Sequence, residues 1–390
     1  MSENKLLDTI RLENILSYSM TTLELGSLNV LIGANASGKS NLIEIISLLA
    51  ATPNNLLIPI REGGGVTDWL WKGSENTSSI ASIKVSLPYS PSPNQHLQYQ
   101  FAFTRNYHRF ELVDEAIVDN DIQYYSYQNG YPILNTLIDT THRTQRQLQR
   151  RDVSIEQSIL SQRREADLYP ELTYLANQFN QIRFYREWNL GRYTMPRLPQ
   201  KADLPNDFLL EDASNLGLII NQLQNNPSTK KQLLTLLQEF CGYIEDITTK
   251  TEGNTIQIFF HERGLRQPVP VTRLSDGTLR YLCLLAIFCH PEPPPLICLE
   301  EPELGLHPDI LPTIAPLLQE CAKRTQLIVT THSDVIVDAL TDTPESIIVC
   351  ERDENGSQLK RLQQTDLKIW LEKYSLGQLW RSGEIGGNRW

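Results

Sequence analysis

Hydrophobic and polar positions follow several distinct rhythms along this chain. Leu28-Asn29-Val30-Leu31-Ile32 is a nearly unbroken apolar run, the pattern of a strand covered on both faces. Asn41-Leu42-Ile43-Glu44-Ile45-Ile46-Ser47-Leu48-Leu49 then repeats with helical spacing. Upstream, Thr9-Ile10-Arg11-Leu12 and Thr21-Thr22-Leu23-Glu24-Leu25 alternate roughly, so residues 5–32 predict two or three strands. Residues 78–128 alternate clearly, through Ile80, Ile83, Val85 and Leu87, then Leu97, Tyr99, Phe101 and Phe103, then Phe110 and Leu112, then Ile122 and Tyr124. Short alternating runs separated by turns predict an antiparallel meander.

Residues 141–181 change character. They are rich in Gln and Arg, and Ile155, Ile159, Leu168, Leu172, Leu175 and Phe179 have helical spacing. Split into a helical hairpin, the stretch would project roughly 30 Å. Residues 192–206 form a Pro-rich connector, 207–240 predict two helices broken at Asn225-Asn226-Pro227, and strands return at 243–271. From 272 onward strand and helix alternate: an apolar helix at 277–290, buried strands at 296–299, 326–330 and 346–350, and a helix at 308–324 that Pro316 should kink. That alternation predicts a mainly parallel sheet with helices on both faces.

The chain has 390 residues, enough for one large two-lobed domain or two domains. Its net charge of -11 argues against a general coat of positive charge for nucleic acid, though not against a local basic patch. The six cysteines form no Cys-x-x-Cys pair and read as buried core residues of a cytoplasmic protein. No signal peptide or membrane-spanning apolar run is legible, so no membrane partner is expected.

Chemistry enters at Gly33-Ala34-Asn35-Ala36-Ser37-Gly38-Lys39-Ser40, between the first buried strand and its helix. Strand, glycine-rich turn, helix is the context of a phosphate-binding loop. Gly33, Asn35, Ala36, Ser37, Gly38 and Asn41 would line it, with backbone N–H groups converging on the phosphates. Lys39 would reach the β- and γ-phosphates and Ser40 would ligate Mg²⁺. Glu300 and Glu301 end the strand at 296–299; Glu300 would hold Mg²⁺ through water, and Glu301 would orient and deprotonate an attacking water. Ser275 and Gly277 sit at the start of the apolar helix, where a simple N-cap is the competing reading. His332 follows the strand at 326–330, where an isolated histidine is more often structural.

Taken in order, these segments resemble the ABC-type (AAA family) ATPases of the RecF, SMC and OLD class. The phosphate loop, the signature Leu274-Ser275-Asp276-Gly277, the Walker B run from Leu296 to Glu301, the D-loop Glu303-Leu304-Gly305-Leu306-His307-Pro308 and the switch His332 carry the resemblance. The opening Ile10-Arg11-Leu12-Glu13-Asn14-Ile15-Leu16-Ser17, and the closing Tyr374-Ser375-Leu376-Gly377-Gln378-Leu379-Trp380 and Gly386-Gly387-Asn388-Arg389-Trp390, look like those of compact bacterial predicted ATPases. The resemblance implies an α/β P-loop head with a mainly parallel core sheet, an antiparallel meander subdomain and an inserted helical lobe. Residues 1–135 and 243–390 would form the head and 136–242 the lobe. It implies ATP and Mg²⁺ as cofactors, with Lys39, Glu301 and His332 catalytic. It also implies a homodimer or higher oligomer in which each ATP on one subunit's Lys39 loop is capped by Ser275 and Gly277 of another. Two departures stand out. Glu300 replaces the usual Asp, and no Gln occurs between Ser40 and Gln95, which leaves Arg61 or Glu62 for the place of the Q-loop glutamine.

The expected function is an ATP-hydrolysing switch that dimerises on ATP and acts on DNA or gates an effector, in repair or anti-phage defence. A nucleotide-gated scaffold without DNA binding is the alternative. A transporter subunit is disfavoured by the long gap from Ser40 to Leu274. DNA would contact residues 143–201 through Arg143, Arg146, Arg150, Arg151, Arg163, Arg164, Arg183, Arg186, Arg192 and Arg197. The only Asp-x-Asp, Asp119-Asn120-Asp121, reads as a hairpin turn, and roughly forty residues after the last strand are too few for a nuclease domain. A nuclease-like effector encoded nearby is therefore expected.

Overall fold

The computed structural model describes residues 5–73, 79–91, 95–119, 122–128, 130–137 and 143–387, excepting the side chains of Arg146 and Arg150. Asn120, Asp121 and the final Asn388-Arg389-Trp390 therefore lie outside the described residues.

Strands β1 (Thr9–Ile15) and β2 (Tyr18–Glu24) form a hairpin, and β3 (Leu28–Gly33) follows. The meander is β4 (Ile80–Pro88), β5 (His96–Asn106), β6 (Arg109–Asp119), β7 (Ile122–Gln128), β8 (Tyr131–Leu137) and β9 (Arg143–Gln147). Next come β10 (Arg183–Tyr185), β11 (Gln200–Lys201), β12 (Ile244–Glu252), β13 (Thr255–Glu262) and β14 (Val269–Pro270). The last set is β15 (Leu296–Glu300), β16 (Gln326–Thr330), β17 (Ile347–Asp353) and β18 (Gly356–Arg361).

Among the described residues one 14-stranded sheet runs β10-β15-β16-β3-β17-β18-β2-β1-β4-β5-β6-β7-β8-β9. Its first five strands pair in parallel and the rest antiparallel. All six residues of β3 and all five of β16 are buried, as strands covered on both faces must be. Each aliphatic side chain so covered contributes about 1.5–3 kcal/mol. One apolar cluster packs Leu42, Ile45 and Leu49 of helix Lys39–Ala51 with the meander's Tyr99, Phe101 and Phe103. A second packs helix Asp276–Phe288 with Val30, Ile297 and Val329 on the other face. β11 to β14 form a separate small sheet beside helices Leu216–Asn225 and Pro227–Phe240. The fold is thus the expected α/β head.

The helical reading of 141–181 holds only in part. Arg143–Gln147 is a strand, paired Leu134↔Arg146 and Leu137↔Arg143 with β8. Tertiary pairing overrides local spacing here, and a polar, Arg-bearing sequence suits an exposed sheet edge. Helices in this stretch are Ile159–Gln162, capped by Ser158, and Pro170–Asn180, started by Pro170. They pack against each other and the meander, with Leu172, Leu175 and Phe179 buried, and do not form a projecting hairpin. The cysteines are unpaired and five of them are buried. Among the described residues no helix is long and apolar enough to cross a membrane.

Candidate functional site

The phosphate loop lies where β3 meets helix Lys39–Ala51. Gly38 precedes the helix at φ 109°, ψ 1°, and Ala36 is also left-handed at φ 63°. The Lys39 ammonium is buried and donates to the Gly33 carbonyl at 2.8 Å and the Ala34 carbonyl at 3.0 Å. Burial lowers its pKa, and Cys350 and Glu301 oppose that shift. An ammonium has three donors, so two hold the loop and one remains for a further acceptor. Asn35, Ala36 and Ser40 are exposed at the loop. Ser37 Oγ is buried, with no hydrogen-bond partner among the described residues. Behind the loop, Tyr18 donates to the Gly38 carbonyl at 2.8 Å, and Asn41 and Ser357 both donate to Ser17 Oγ, at 2.8 and 2.7 Å. Asn41 therefore braces the loop from the side.

The acidic pair reaches this loop through the sheet. β15 pairs Glu300 with Thr330, and β16 pairs Thr330 with Leu31, three residues before Ala34. Glu301 turns the chain off the strand at φ 45°, an uncommon conformation for a non-glycine residue. Its N–H donates to the Thr330 carbonyl at 3.0 Å and the Thr330 hydroxyl at 3.3 Å. Strain held by hydrogen bonds is typical of functional turns. His332 Nε2 lies 3.6 Å from Glu301 Oε1. Its pKa is lowered by burial and by Lys39, against the pull of Glu301 and Glu303, so the imidazole is neutral at pH 7. Glu303 anchors this turn, accepting from the Thr331 hydroxyl at 2.6 Å and the His332 N–H at 2.8 Å. Lys39, Glu301 and His332 thus form one electrostatic group.

Ser275 and Gly277 belong to a different place. Ser275 is exposed and caps helix Asp276–Phe288, accepting from the Thr278 N–H at 3.1 Å. A Cβ on Gly277 would come within 3.0 Å of the Gly305 carbonyl, so the D-loop lies against the signature turn. No hydrogen bond or ion pair among the described residues joins Ser275 or Gly277 to the Lys39 group. Arg197 holds the signature from behind: buried, it donates to the carbonyls of Leu190 and Leu274 at 2.7 Å and pairs with Asp276. Arg197→Ala would strand those two carbonyls, and at about 1–3 kcal/mol each urea denaturation should show a loss of roughly 2–6 kcal/mol.

Burial removes Arg197 from any DNA surface, which corrects that expectation. Other arginines of 143–201 also have partners inside the protein. Arg143 pairs with Glu171, Arg163 donates to the Gln162 carbonyl, Arg164 to the Pro53 carbonyl and Arg183 to the Asn180 carbonyl. Arg151 and Arg192 are exposed. Arg186 faces the acidic pair, its Nε 3.7 Å from Glu300 Oε1. Sequence reasoning missed this place for it. Arg61 is exposed, and Glu62 lines a cleft that also holds Arg186 and Glu211. Among the described residues neither is paired with Glu300.

The residues present fit a magnesium-bound nucleoside triphosphate. The loop leaves no room for a side chain at Gly38, Ser37 Oγ is an orphaned buried polar atom, and Ser40 is exposed on the first helical turn. Among the described residues no three His, Cys, Asp or Glu side chains converge as a metal cage. Mg²⁺ needs none, since it takes one or two protein ligands with phosphate oxygens and water.

This fold and site define a P-loop nucleotide-binding head. Residues 28–338 match the family described as "AAA domain, putative AbiEii toxin, Type IV TA system", and the chain belongs to that family. It is a nucleotide-binding AAA ATPase with an SMC-like head. A crystal structure of an Smc head bound to the C-terminal winged-helix domain of ScpA superposes with TM-score 0.55 at 15% identity, covering 93% of this chain and 99% of that one. The Pyrococcus furiosus Smc head, with an extended coiled coil and bound to the C-terminal domain of ScpA, gives 0.57 at 13%, covering 94% and 99%. The Pyrococcus yayanosii Smc head with a coiled coil and joint gives 0.51 at 12%, covering 94% and 99%. The chain matches no curated protein.

Proposed function

We propose that this chain is an ATP- and Mg²⁺-dependent hydrolase whose nucleotide site is completed by a second copy, and that its closed form gates a partner protein. The observation that carries the reading is that Lys39, Glu301 and His332, from three separate segments, meet as one electrostatic group at the carboxyl ends of the sheet strands, with Ser275 exposed elsewhere. Lys39 and the loop N–H groups bind phosphate, Ser40 and Glu300 take the metal side, Glu301 is the base and His332 reads the γ-phosphate. When bound, Mg²⁺ neutralises charge on the phosphates. A triphosphate carries more charge than one loop lysine neutralises, and an exposed helix N-terminus such as that at Ser275 suits the remaining anionic oxygens. Gating a partner is favoured over direct DNA contact because the expected DNA-facing arginines are largely engaged within the protein. The working location is the cytoplasm, where repair or anti-phage defence would use such a switch.

The test is mass in solution by light scattering. Glu301→Gln with ATP and Mg²⁺ should form a dimer or higher oligomer, and adding Ser275→Arg should reverse the ATP-dependent part. Ser275→Ala loses the same helix cap, at a cost of about 1 kcal/mol, without added bulk. It should retain more assembly than the arginine variant. A mass indifferent to ATP would contradict the reading.

A further inference from the structure

Arg186 follows the three-residue strand β10, which pairs in parallel with β15 so that Tyr185 lies opposite Leu299. The next residues, Arg186 and Glu300, emerge together at the carboxyl end of the sheet, where ligands bind in such folds. Their charged groups are 3.7 Å apart, within ion-pair range but too far for a hydrogen bond. Arg186 Nε is buried and has no hydrogen-bond partner among the described residues, and the guanidinium lies over the Phe184 ring, 5.6 Å from its centroid. The arginine is therefore seated by stacking and charge, without a hydrogen bond fixing Nε to Glu300.

Glu44, Glu301 and Glu187 add negative charge around Glu300, and Arg186 opposes them. On its other side Arg186 faces a cleft of about 430 Å³ whose lining includes Arg183, Glu62 and Glu211. The longer side chain at position 300, where an aspartate is usual, brings the carboxylate to the guanidinium. A carboxylate offers about four lone-pair sites, so Glu300 can keep Arg186 on one edge while the other meets a hydrated cation.

We propose that Arg186 is a positioning residue for Glu300 and that its guanidinium competes with Mg²⁺ for that carboxylate. The proposal rests on the ATP–Mg²⁺ reading above. A fixed positive charge this close to a metal-side acid repels the incoming cation, so the site binds Mg²⁺ less tightly than the same carboxylate would alone. Arg186 thereby tunes the metal concentration at which the site becomes competent.

The experiment uses the full chain and a fluorescent, non-hydrolysable ATP analogue, with Mg²⁺ titrated and nucleotide binding read directly. Arg186→Gln should lower the Mg²⁺ midpoint about three- to tenfold, the scale of one removed charge at partly solvated contact distance. Metal-free affinity should stay near that of the parent. Arg186→Lys keeps the charge and should keep the parent midpoint, and Arg183→Gln, whose guanidinium donates to backbone carbonyls and lies over the Phe208 ring, should not shift it. A midpoint that is unchanged or higher in Arg186→Gln would overturn the competition while leaving the ATPase reading intact. Parent binding that ignores Mg²⁺ altogether would overturn both.

Discussion

Glu301→Gln should bind ATP as the parent does and turn it over about 10²–10⁴-fold more slowly, the usual contribution of a positioned general base. The amide matches the carboxylate in size, so the φ 45° turn and the Glu301 N–H bonds to Thr330 should persist. What it loses is the capacity to take a proton from water beside His332, whose neutral ring 3.6 Å away cannot replace that charge. Lys39→Ala should show the opposite split. It removes a charge-assisted phosphate contact worth about 1.5–3 kcal/mol and also the brace on the Gly33 and Ala34 carbonyls, so binding itself weakens. Phosphate release and equilibrium nucleotide binding, measured on both variants, separate the roles. Parent-like turnover in Glu301→Gln would remove the residue from the base position.

The elements that place this site were largely legible because they are local and apolar. β3, β15, β16 and the first part of β17 are runs of buried residues that periodicity identifies unaided. The meander over 78–128 was legible for the complementary reason, alternation on a sheet with one face on the core, broken where the register shifts. β8, β9 and β10 were not. Arg143–Gln147 is polar and belongs to a sheet edge, so its strand character comes from pairing with β8 and not from composition. Arg183–Tyr185 is too short to announce a period, yet it carries Arg186 to Glu300. The same limit explains Arg197, whose acceptors at Leu190 and Leu274 are separated in sequence and meet only in the folded chain. Charge near the candidate nucleotide site looks the same in sequence as charge on a solvated helix, and only sheet order distinguishes them.

Gly38→Ala should be among the most damaging single-methyl additions in this chain, and for two separable reasons. At φ 109°, ψ 1° a residue with a Cβ pays backbone strain of about 1–3 kcal/mol. The new Cβ would also lie 2.5 Å from Ser357 Oγ, 2.9 Å from Ser357 Cβ and 3.0 Å from Ser17 Oγ. These neighbours cannot easily retreat: Ser357 is fully buried on β18, its N–H donates to the Ser17 carbonyl at 2.7 Å and its hydroxyl to Ser17 Oγ. Overpacking of that kind adds about 1–3 kcal/mol. The sum is a large part of the roughly 5–15 kcal/mol that holds a domain folded, and the loop would open away from the geometry that converges its N–H groups. Urea unfolding should therefore shift strongly, and nucleotide should no longer raise the midpoint. Adding Ser357→Gly removes the two Ser357 atoms but leaves the φ strain and the tight approach to Ser17 Oγ, so the double variant should recover part of the lost stability, a coupling that distant sites do not show. A parent-like midpoint in Gly38→Ala would mean that the loop does not pass behind Ser17 and Ser357 as described.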